Sequence, residues 1–375
     1  MSDFLFATLD AGGNLPPALG IGRELLRQGH RVRFLGHAQQ AAAVESAGAE
    51  FIPYRHAAPL SPAVSAPAHR QFAAMLNVFG DPGIGRDLLE EARREPPDVA
   101  VVDCLLMGAI DAAAKAGLPH VVLVHSFFAF FDGPFRRGPM GAALAFKKLP
   151  PRRAIGHAER VLVCADPLLD PAGRAPGGPG ERVVWSGAVV DEVTSGNTGT
   201  RRAGRPRVLA SLSTTAFPGQ QQVLQKILDA ASVLTVDLVM TTGPAVDPAS
   251  LSAPANATVH RYIEHTEIMP DCDAVIGHGG HATAMRALAH GLPMMILPMH
   301  PLMDQPLVGK VIRDAGAGVL LSRKSSPGEI GNKLSELLDS ESCARAAAEI
   351  GTRLRNSAGA RSGAQVLADV AGRSR

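Results

Sequence analysis

Ala-Val-Ile-Gly-His-Gly-Gly-His-Ala-Thr, residues 274–283, is the stretch that decides the fold. Three apolar residues typical of a buried strand run directly into a glycine-rich turn, and the chain continues to His290 with helical composition. Backbone N–H groups at a helix start lack partners within the helix, and glycine lets an oxygen approach them closely. The stretch therefore predicts an anion-binding turn. A tight strand-to-helix turn capped by Thr283 is the alternative interpretation.

An acid and an amide follow the next apolar segment. Met294–Leu297 predicts another strand, and the loop after it contains Asp304 and Gln305. A carboxylate accepts two hydrogen bonds, while an amide both donates and accepts, so the pair suits vicinal hydroxyl groups. These surroundings favour the anion-binding interpretation of the turn over the purely structural one.

Strand-like and helical segments alternate along both halves of the 375 residues, which predicts two α/β domains. Predicted strands of the first half are residues 4–8, 32–35, 50–52, 98–103 and 120–124. Those of the second half are residues 208–212, 237–241, 258–262, 274–276, 294–297 and 318–321. We predict a first domain of residues 1–190, a linker of 191–206 and a second domain of 207–357. A helix within 358–375 is predicted to pack back on the first domain, and residues 57–68 to form a surface loop.

Composition excludes several classes of protein. The net charge of +2 arises from 37 basic and 35 acidic residues spread along the chain, which gives no electrostatic footprint for nucleic acid. No segment approaches the apolar length of a membrane span, and the first ten residues do not resemble a signal peptide. Four cysteines far apart in sequence predict reduced, structural thiols. We therefore expect a cytoplasmic protein, monomer or homodimer, that binds small molecules.

Three motifs together resemble those of one enzyme family. His-Gly-Gly-x-x-Thr at 278–283, Gly-Leu-Pro at 291–293 and Asp-Gln at 304–305 look like the donor motif of glycosyltransferase family one. The resemblance implies the GT-B fold, an α/β architecture of two Rossmann-like doubly wound domains facing each other across a cleft. It also implies that the second domain binds a nucleotide-diphosphate sugar as co-substrate, with no other cofactor and no metal. Asp271 and Asp273 precede their strand and are predicted to be structural.

The resemblance assigns donor contacts residue by residue. His278 and the turn after it match the family's diphosphate contacts, and Asp304 and Gln305 match its sugar contacts. Ser213 and Thr214 lie in a stretch similar to the family's Ser-Leu-Gly-Ser/Thr loop, and 261–263 lies where relatives meet the base. The implied donor residues are Ser213, Thr214, Tyr262, Ile263, His278, Gly279, Gly280, His281, Ala282, Thr283, Asp304 and Gln305.

The acceptor side departs from the family at its start. Many relatives read Gly-His-x-x-Pro between the first strand and first helix and use the histidine as general base, whereas Gly13 takes that place here. Gly12 and Gly13 are predicted to let a substrate approach closely; a tight turn is the alternative. The segment also lacks the Gly-x-Gly-x-x-Gly pattern of an NAD site.

An aromatic segment follows the predicted strand 120–124. Residues 125–135 contain five of the thirteen phenylalanines, which predicts an apolar acceptor pocket lined by Phe127, Phe128 and Phe131. The alternative is a helix that packs into the core of the first domain.

Asp132 directly follows these rings, and Gly-Gly-Asn-x-Pro-Pro opens the chain. This combination resembles actinomycete antibiotic glycosyltransferases that attach deoxysugars to aromatic polyketides of the angucycline type. The resemblance implies an inverting transfer from a dTDP- or UDP-sugar, dTDP favoured, that forms an O- or C-glycoside, with Asp132 as the base. A carboxylate is sufficient for a phenol, whose pKa is near 10. Asp103 and His125, at strand ends, are the second and third candidates.

Two other functions remain open on the sequence. A transferase acting on a lipid-linked acceptor would use a basic, apolar surface, for which Phe146 and the nearby lysines and arginines are candidates. A catalytically silent helper of another glycosyltransferase is the second alternative, although Asp304, Gln305 and His278 argue against it.

Overall fold

Short apolar strands alternate with amphipathic helices in both halves of the chain, and each half forms its own parallel sheet. A computed structural model describes residues 1–9, 13–59, 67–175, 180–190, 193 and 204–373. They divide into two units, one containing the described residues of Met1–Ser61, Ala68–Val189 and Ala358–Arg375, the other chiefly those of Val190–Ser357.

The first unit is built on seven parallel strands in the order β3-β2-β1-β4-β5-β6-β7. The strands are β1 Asp3–Ala7, β2 Arg31–Gly36, β3 Glu50–Pro53, β4 Val99–Asp103, β5 His120–Val124, β6 Arg160–Val163 and β7 Val183–Trp185. The helices are α1 Leu15–Arg27, α2 Ala41–Ser46, α3 Ala68–Phe79, α4 Pro82–Arg94, α5 Met107–Ala116, α6 Phe128–Phe130, α7 Pro139–Phe146 and α8 Pro151–Gly156, with the C-terminal helix described below.

The second unit is built on six parallel strands in the order β10-β9-β8-β11-β12-β13. Its strands are β8 Arg207–Ser211, β9 Asp237–Thr241, β10 Ala257–His260, β11 Ala274–Gly277, β12 Met294–Ile296 and β13 Gly318–Leu320. Its helices are α9 Gln220–Ala231, α10 His265–Ile268, α11 His281–Ala289, α12 Gln305–Asp314, α13 Pro327–Asp339 and α14 Glu341–Arg355. A last helix, α15 Gly359–Arg373, belongs to the first unit.

Both sheets share one strand order, because the second sheet read from its own first strand is also 3-2-1-4-5-6. This order reverses direction between the first and fourth strands, as in doubly wound dinucleotide-binding folds. Helices cover both faces of such a sheet, which is why β4 and β5 are buried along their whole length and, apart from Asp103 and His120 at their ends, apolar. The predicted α/β, doubly wound class is confirmed.

Helix α15 lies against α1 within the first unit. Gly363 allows this contact, because a Cβ there would lie 2.8 Å from Ile21 of α1; at the start of α15, a side chain at Gly359 would collide with the Ala188 carbonyl. The residues after α14 therefore return to the sheet on which the chain began.

The sequence predictions missed several elements. Helices α3 and α4 and strands β6 and β7 were not predicted, and much of the predicted loop 57–68 lies outside the described residues. Of the predicted linker 191–206, only residue 193 and residues 204–206 are described. The short β6 and β7 carry three or four residues each, too few for an alternating pattern to be recognised.

A buried arginine joins β1 and β2 of the first sheet to α4. Arg33 is fully buried on β2, and its guanidinium donates to Glu91 Oε1 at 2.5 Å and from Nη2 to Asp3 Oδ1 at 2.9 Å. A third bond runs from Nη2 to the carbonyl of Glu95 at 2.9 Å. Burial of a charge costs several kcal/mol unless it is paired, so these bonds are what makes Arg33 tolerable in the core.

Replacing Arg33 with leucine is expected to destabilise the first unit by about 3–5 kcal/mol, because Glu91 and Asp3 lose a buried partner. The only tryptophan, Trp185, lies in this unit on β7, so its fluorescence during urea unfolding reports on the unit directly.

Arg31→Leu is the matched control, because Arg31 lies on the same strand and pairs with Asp3, Glu50 and Glu95 while its side chain is 38% exposed. Solvent screens such pairs, so its loss is expected to cost about 1 kcal/mol or less. Equal effects of the two substitutions would contradict the role given to Arg33.

Candidate functional site

Residues at the carboxyl ends of the strands form one group in each unit. In the second unit, β8 and β11 are neighbours at the reversal of strand order, and the loops after them contain Ser213 and His278. In the first unit, β1 and β4 are the corresponding neighbours, followed by Asn14 and Asp103. Ligands of doubly wound folds bind at this edge, outside the reversal point.

The glycine-rich turn after β11 has a backbone that only glycine adopts readily. Gly279 has a φ of +88°, and a Cβ there would lie 2.7 Å from the carbonyl oxygen of Gln305 and 2.9 Å from Ile296. The turn therefore packs directly on the first residue of α12, so two of the motifs recognised in the sequence are in contact. Gly280 is the N-cap of α11, whose first turn contains His281, Ala282 and Thr283.

The start of α11 offers backbone donors. Its N-cap, Gly280, provides no side chain to bond the first N–H groups of the nine-residue helix. Those groups and the helix dipole favour an anion. Ala282 and Thr283 are half-buried, so the first turn remains partly accessible.

His278 is held as a neutral imidazole. Desolvation, with a smaller contribution from His265, lowers its pKa to about 4. Its Nδ1 is buried and has no hydrogen-bond partner among the residues that the structure describes. The ring can therefore contribute a neutral N–H donor at neutral pH rather than a resident positive charge.

Asp304 and Gln305 lie at the N-terminus of α12, but their side chains differ in burial and in hydrogen bonding. Gln305 is buried, and its Oε1 accepts from the backbone N–H groups of Met299 and His300 at 2.7 and 3.0 Å. Its carboxamide thus shapes the loop after β12. Asp304 is half-buried at the N-cap position, which leaves its carboxylate as the more accessible member of the predicted pair.

The remaining predicted donor residues lie in loops of the same unit. Ser213 Oγ accepts from Thr215 N–H at 3.0 Å, and Thr214 beside it is exposed. Tyr262 is 68% exposed and donates its hydroxyl to Glu264 at 2.5 Å, while Ile263 is half-buried. The Tyr262 hydroxyl is therefore bonded to the Glu264 carboxylate in the same loop.

In the first unit the side chain that reaches Asp103 is that of Asn14. Its Nδ2 donates to Asp103 Oδ2 at 3.2 Å and to the Leu9 carbonyl at 2.5 Å. The prediction placed the missing family histidine at Gly13, which is exposed; the position facing the acid is residue 14 instead. Gly12 lies outside the described residues.

His125 completes this group from the neighbouring strand. Its Nδ1 lies 3.1 Å from Asp103 Oδ2 and 3.7 Å from Cys104 Sγ. Desolvation opposes its charge, yet the Asp103 carboxylate and Cys104 together raise the pKa of His125 well above its usual value. Burial raises the pKa of the Cys104 thiol, which keeps it protonated.

The phenylalanines predicted to line an acceptor pocket are core residues. Phe127, Phe128 and Phe131 are 0, 6 and 2% exposed, so the pocket interpretation is replaced by the alternative of a packed helix. Phe131 stacks on Phe135 with centroids 5.3 Å apart, and Phe128 meets Trp185 edge-on at 6.2 Å. Bulky apolar rings after a strand are equally typical of a core and of a pocket, and the sequence does not separate the two.

Asp170 holds the start of this helix. It is fully buried, and its carboxylate accepts from the N–H groups of Phe128 and Ala129 at 2.7 and 3.2 Å. A third bond comes from Trp185 Nε1 at 3.0 Å. Sequence reasoning missed Asp170 because a lone aspartate in a region rich in proline and glycine has no distinguishing pattern.

Asp132 lies in a π-helical turn, Phe131–Phe135, that continues α6. Its carboxylate accepts from Arg136 Nε at 2.8 Å and from Arg137 Nη2 at 3.0 Å, and its side chain is 39% exposed. Two guanidinium groups occupy both of its oxygens. These contacts make Asp132 a weaker candidate for the base than its position in sequence indicates.

Two groups of side chains carry atoms of metal-ligand type. Asp103, Cys104 and His125 form one, and His56, Asp87 and Glu90 the other. Contacts within the protein account for both: the first is described above, and Asp87 accepts from the backbone N–H and ring Nδ1 of His56. Asp273 accepts from the Arg207 N–H at 2.8 Å, in line with a structural role. None of the helices in the described residues has the length and apolarity to cross a bilayer.

The C-terminal part of the chain matches a known family. Residues 225–369 match the model of the erythromycin biosynthesis protein CIII-like C-terminal domain. This range contains the turn at Gly279 and the N-terminus of α12.

Relatives extend over most of the chain. The 4'-demethylrebeccamycin synthase of Lentzea aerocolonigenes is 26% identical, with 89% of this chain and 91% of that protein covered. The solved calicheamicin glycosyltransferase CalG4 is 22% identical, covers 100% of this chain and 99% of its own, and has a TM-score of 0.77. The glycosyltransferase VinC, solved in complex with dTDP, is 21% identical over 99% and 100% of the two chains, with a TM-score of 0.73.

Gly279→Ala is expected to destabilise the second unit by roughly 3 kcal/mol, because alanine is strained at positive φ and its Cβ would press on the Gln305 carbonyl. Gly316→Ala is the control: Gly316 has a φ of +73°, but its nearest heavy atom to a new Cβ is 3.8 Å away. Only the backbone strain of about 1 kcal/mol applies there. Thermal unfolding followed by circular dichroism measures both, and equal losses would contradict the contact between the two motifs.

Proposed function

Since this chain is a glycosyltransferase of the GT-B fold, similar to sugar transferases of antibiotic pathways, we propose that it transfers a deoxysugar from a nucleotide-diphosphate sugar to a hydrophobic aromatic acceptor with inversion at the anomeric carbon. The observation that carries the proposal is the turn before α11. There, backbone donors, a positive-φ glycine and a neutral histidine lie together at a strand end.

The diphosphate is assigned to this turn. The N–H groups of the first turn of α11 and the accessible hydroxyl of Thr283 are donors for phosphate oxygens, and His278 adds an imidazole N–H. A leaving diphosphate gains negative charge as its bond to the sugar breaks. Donors fixed beforehand by the fold stabilise that charge without having to reorganise.

The sugar is assigned to Asp304. Its carboxylate accepts hydrogen bonds from two vicinal hydroxyl groups, while Gln305 supports the loop that holds it. dTDP is favoured over UDP as the nucleotide because VinC, which shares this fold, was solved with dTDP. We propose no cofactor beyond the nucleotide sugar.

The reaction is a direct displacement. A phenolic oxygen of the acceptor, or a ring carbon ortho or para to it, forms a bond to the anomeric carbon on the side opposite the diphosphate. The bond from that carbon to the diphosphate oxygen breaks, and its electron pair leaves with the diphosphate. The acceptor proton passes to a basic side chain of the protein.

The test is mass spectrometry of products formed from a panel of dTDP- and UDP-sugars with polycyclic phenols, in the presence and absence of EDTA. We expect products heavier by one deoxysugar, formed best from dTDP donors and unaffected by EDTA. Acid hydrolysis separates O- from C-glycosides. Absence of any transfer across the panel would overturn the proposal.

One surface favours a lipid-linked acceptor as the second candidate. Phe146, at the end of α7, is 92% exposed and is followed by Lys147 and Lys148. An apolar ring beside two cations is suited to an anionic membrane surface. Co-sedimentation with anionic vesicles that is abolished by Phe146→Ser would support this candidate, whereas absence of binding would leave the soluble phenol as the acceptor class.

His278→Ala is expected to weaken dTDP binding about 10- to 100-fold, because a buried hydrogen bond to a charged group contributes about 1.5–3 kcal/mol. His278→Gln should restore most of the affinity, since a neutral amide also donates. Isothermal titration calorimetry measures both, with thermal unfolding as the check on folding. Equal weakening by Gln and Ala would mean that the ring acts by charge or by shape and not as a neutral donor.

A further inference from the structure

Two neighbouring strands of the first sheet end at side chains that can accept or donate a proton. Strand β4 ends at Asp103, and His125 follows the end of β5 directly. The strands are parallel and paired, with Asp103 opposite Leu123 in the register. Their carboxyl ends therefore bring an acid and an imidazole together at the sheet edge where doubly wound folds bind ligands.

Asp103 is fixed from three directions. Its Oδ1 accepts from the Leu105 N–H at 2.9 Å, and its Oδ2 accepts from Asn14 Nδ2 at 3.2 Å. The same Oδ2 lies 3.1 Å from His125 Nδ1, and Asp103 as a whole is 3% exposed. A carboxylate held in this way fixes both the orientation of the ring and the nitrogen that carries its proton, because Nδ1–H is the only form that donates to it.

The other ring nitrogen of His125 remains available. The contacts of the ring with described residues, to Asp103 and Cys104, are both made by Nδ1 and not by Nε2, and the side chain is 16% exposed. With Nδ1–H directed to Asp103, the Nε2 lone pair is free to accept a proton. This is the arrangement of a general base supported by an acid.

We propose that His125 is the base that deprotonates the acceptor, that Asp103 orients it and stabilises its charged form, and that Asn14 is a positioning residue for Asp103. The assignment rests on the sugar transfer proposed above. The acceptor O–H bond breaks and its proton binds Nε2, while the electron pair of the oxygen or of the conjugated ring carbon forms the bond to the sugar. The diphosphate leaves with the electron pair of its bond to the anomeric carbon.

The pair thus supplies a base that residues 8–9 and 13–14, the described part of the loop after β1, do not provide. Asn14 occupies the place facing Asp103, and an amide cannot accept a proton at neutral pH. The histidine stands instead on the neighbouring strand, against the same carboxylate. Asp132 has both oxygens bonded to Arg136 and Arg137, so neither oxygen is left without a partner for an acceptor hydroxyl to meet.

The groups around His125 determine its pH dependence. Asp103 is the anion facing it, and Cys104 is a thiol whose pKa burial raises. Tyr54 and Cys164, which interact electrostatically with Asp103, also have pKa values raised by burial. Asp103 therefore stabilises the imidazolium, and the pKa of His125 is raised. Because the base must be neutral to act, kcat is expected to rise with pH through that raised value.

His125→Gln is expected to lower kcat for a phenolic acceptor at least about 100-fold, with KM for the nucleotide sugar nearly unchanged. His120→Gln is the matched control, because His120 is a buried histidine at the opposite end of the same strand, with its Nδ1 on the Leu118 carbonyl. It should keep kcat and the pH profile. Asp132→Asn should reduce transfer less than tenfold.

Asp103→Asn and Asn14→Ala separate orientation from structure. Loss of the carboxylate charge lowers the pKa of His125, so the rise of kcat with pH should move at least one unit toward lower pH in Asp103→Asn. Asn14→Ala should lower kcat more than it changes KM, while tryptophan fluorescence reports that the first unit is folded.

The outcomes separate the two proposals. No transfer by the wild-type chain would overturn the proposed function together with the base. Transfer by the wild type, with His125→Gln within tenfold of it or with an unshifted pH profile in Asp103→Asn, would overturn the base alone. A hundredfold loss in Asp132→Asn beside near-normal His125→Gln would return the role to Asp132.

Discussion

Reversal of strand order within each parallel sheet is the constraint on which the rest of the structure depends. Between β1 and β4, and again between β8 and β11, the connections leave in opposite directions, and the strand ends stay open between them. Helices that start there carry backbone N–H groups with no partner inside the helix. Asp103 ends β4, while His125 and His278 directly follow β5 and β11 at this edge of their sheets.

One strand plan supports two kinds of chemistry in this chain. The second unit presents neutral groups and backbone donors, with the pKa of His278 lowered by desolvation. The first unit presents a buried carboxylate that raises the pKa of His125. The difference lies in one neighbour: a carboxylate faces His125, whereas His278 faces no anion among the described residues. Desolvation alone favours the neutral ring, and desolvation with a buried anion favours the charged one.

Sequence patterns predicted the strands far better than the contacts. Strand β5 was predicted at its observed bounds because five consecutive buried residues leave an unambiguous apolar run, and the turn at Gly279 was recognisable because positive φ requires glycine. The hydrogen-bond partners of polar side chains could not be predicted from the sequence. The sequence did not indicate that Gln305 Oε1 accepts from backbone N–H groups, and the sugar contact of Gln305 stays a prediction; the bond from Asn14 to Asp103 was not foreseen either. These hydrogen bonds depend on which groups, far apart in sequence, lie next to each other in the folded chain.

Asp170 fixes the beginning of the aromatic segment, while the π-helical turn Phe131–Phe135 ends it with a wide turn and a non-helical Gly133. Each residue of an α-helix advances the side-chain direction by about 100°, so one additional residue in a turn rotates everything beyond it relative to the buried rings before it. Phe135, beyond Gly133, is nevertheless buried and stacks on Phe131, so the rings stay packed together across the change of pitch. The wide turn thus lies between two stacked core rings, and the one acidic side chain within it, Asp132, bonds to Arg136 and Arg137 just beyond it.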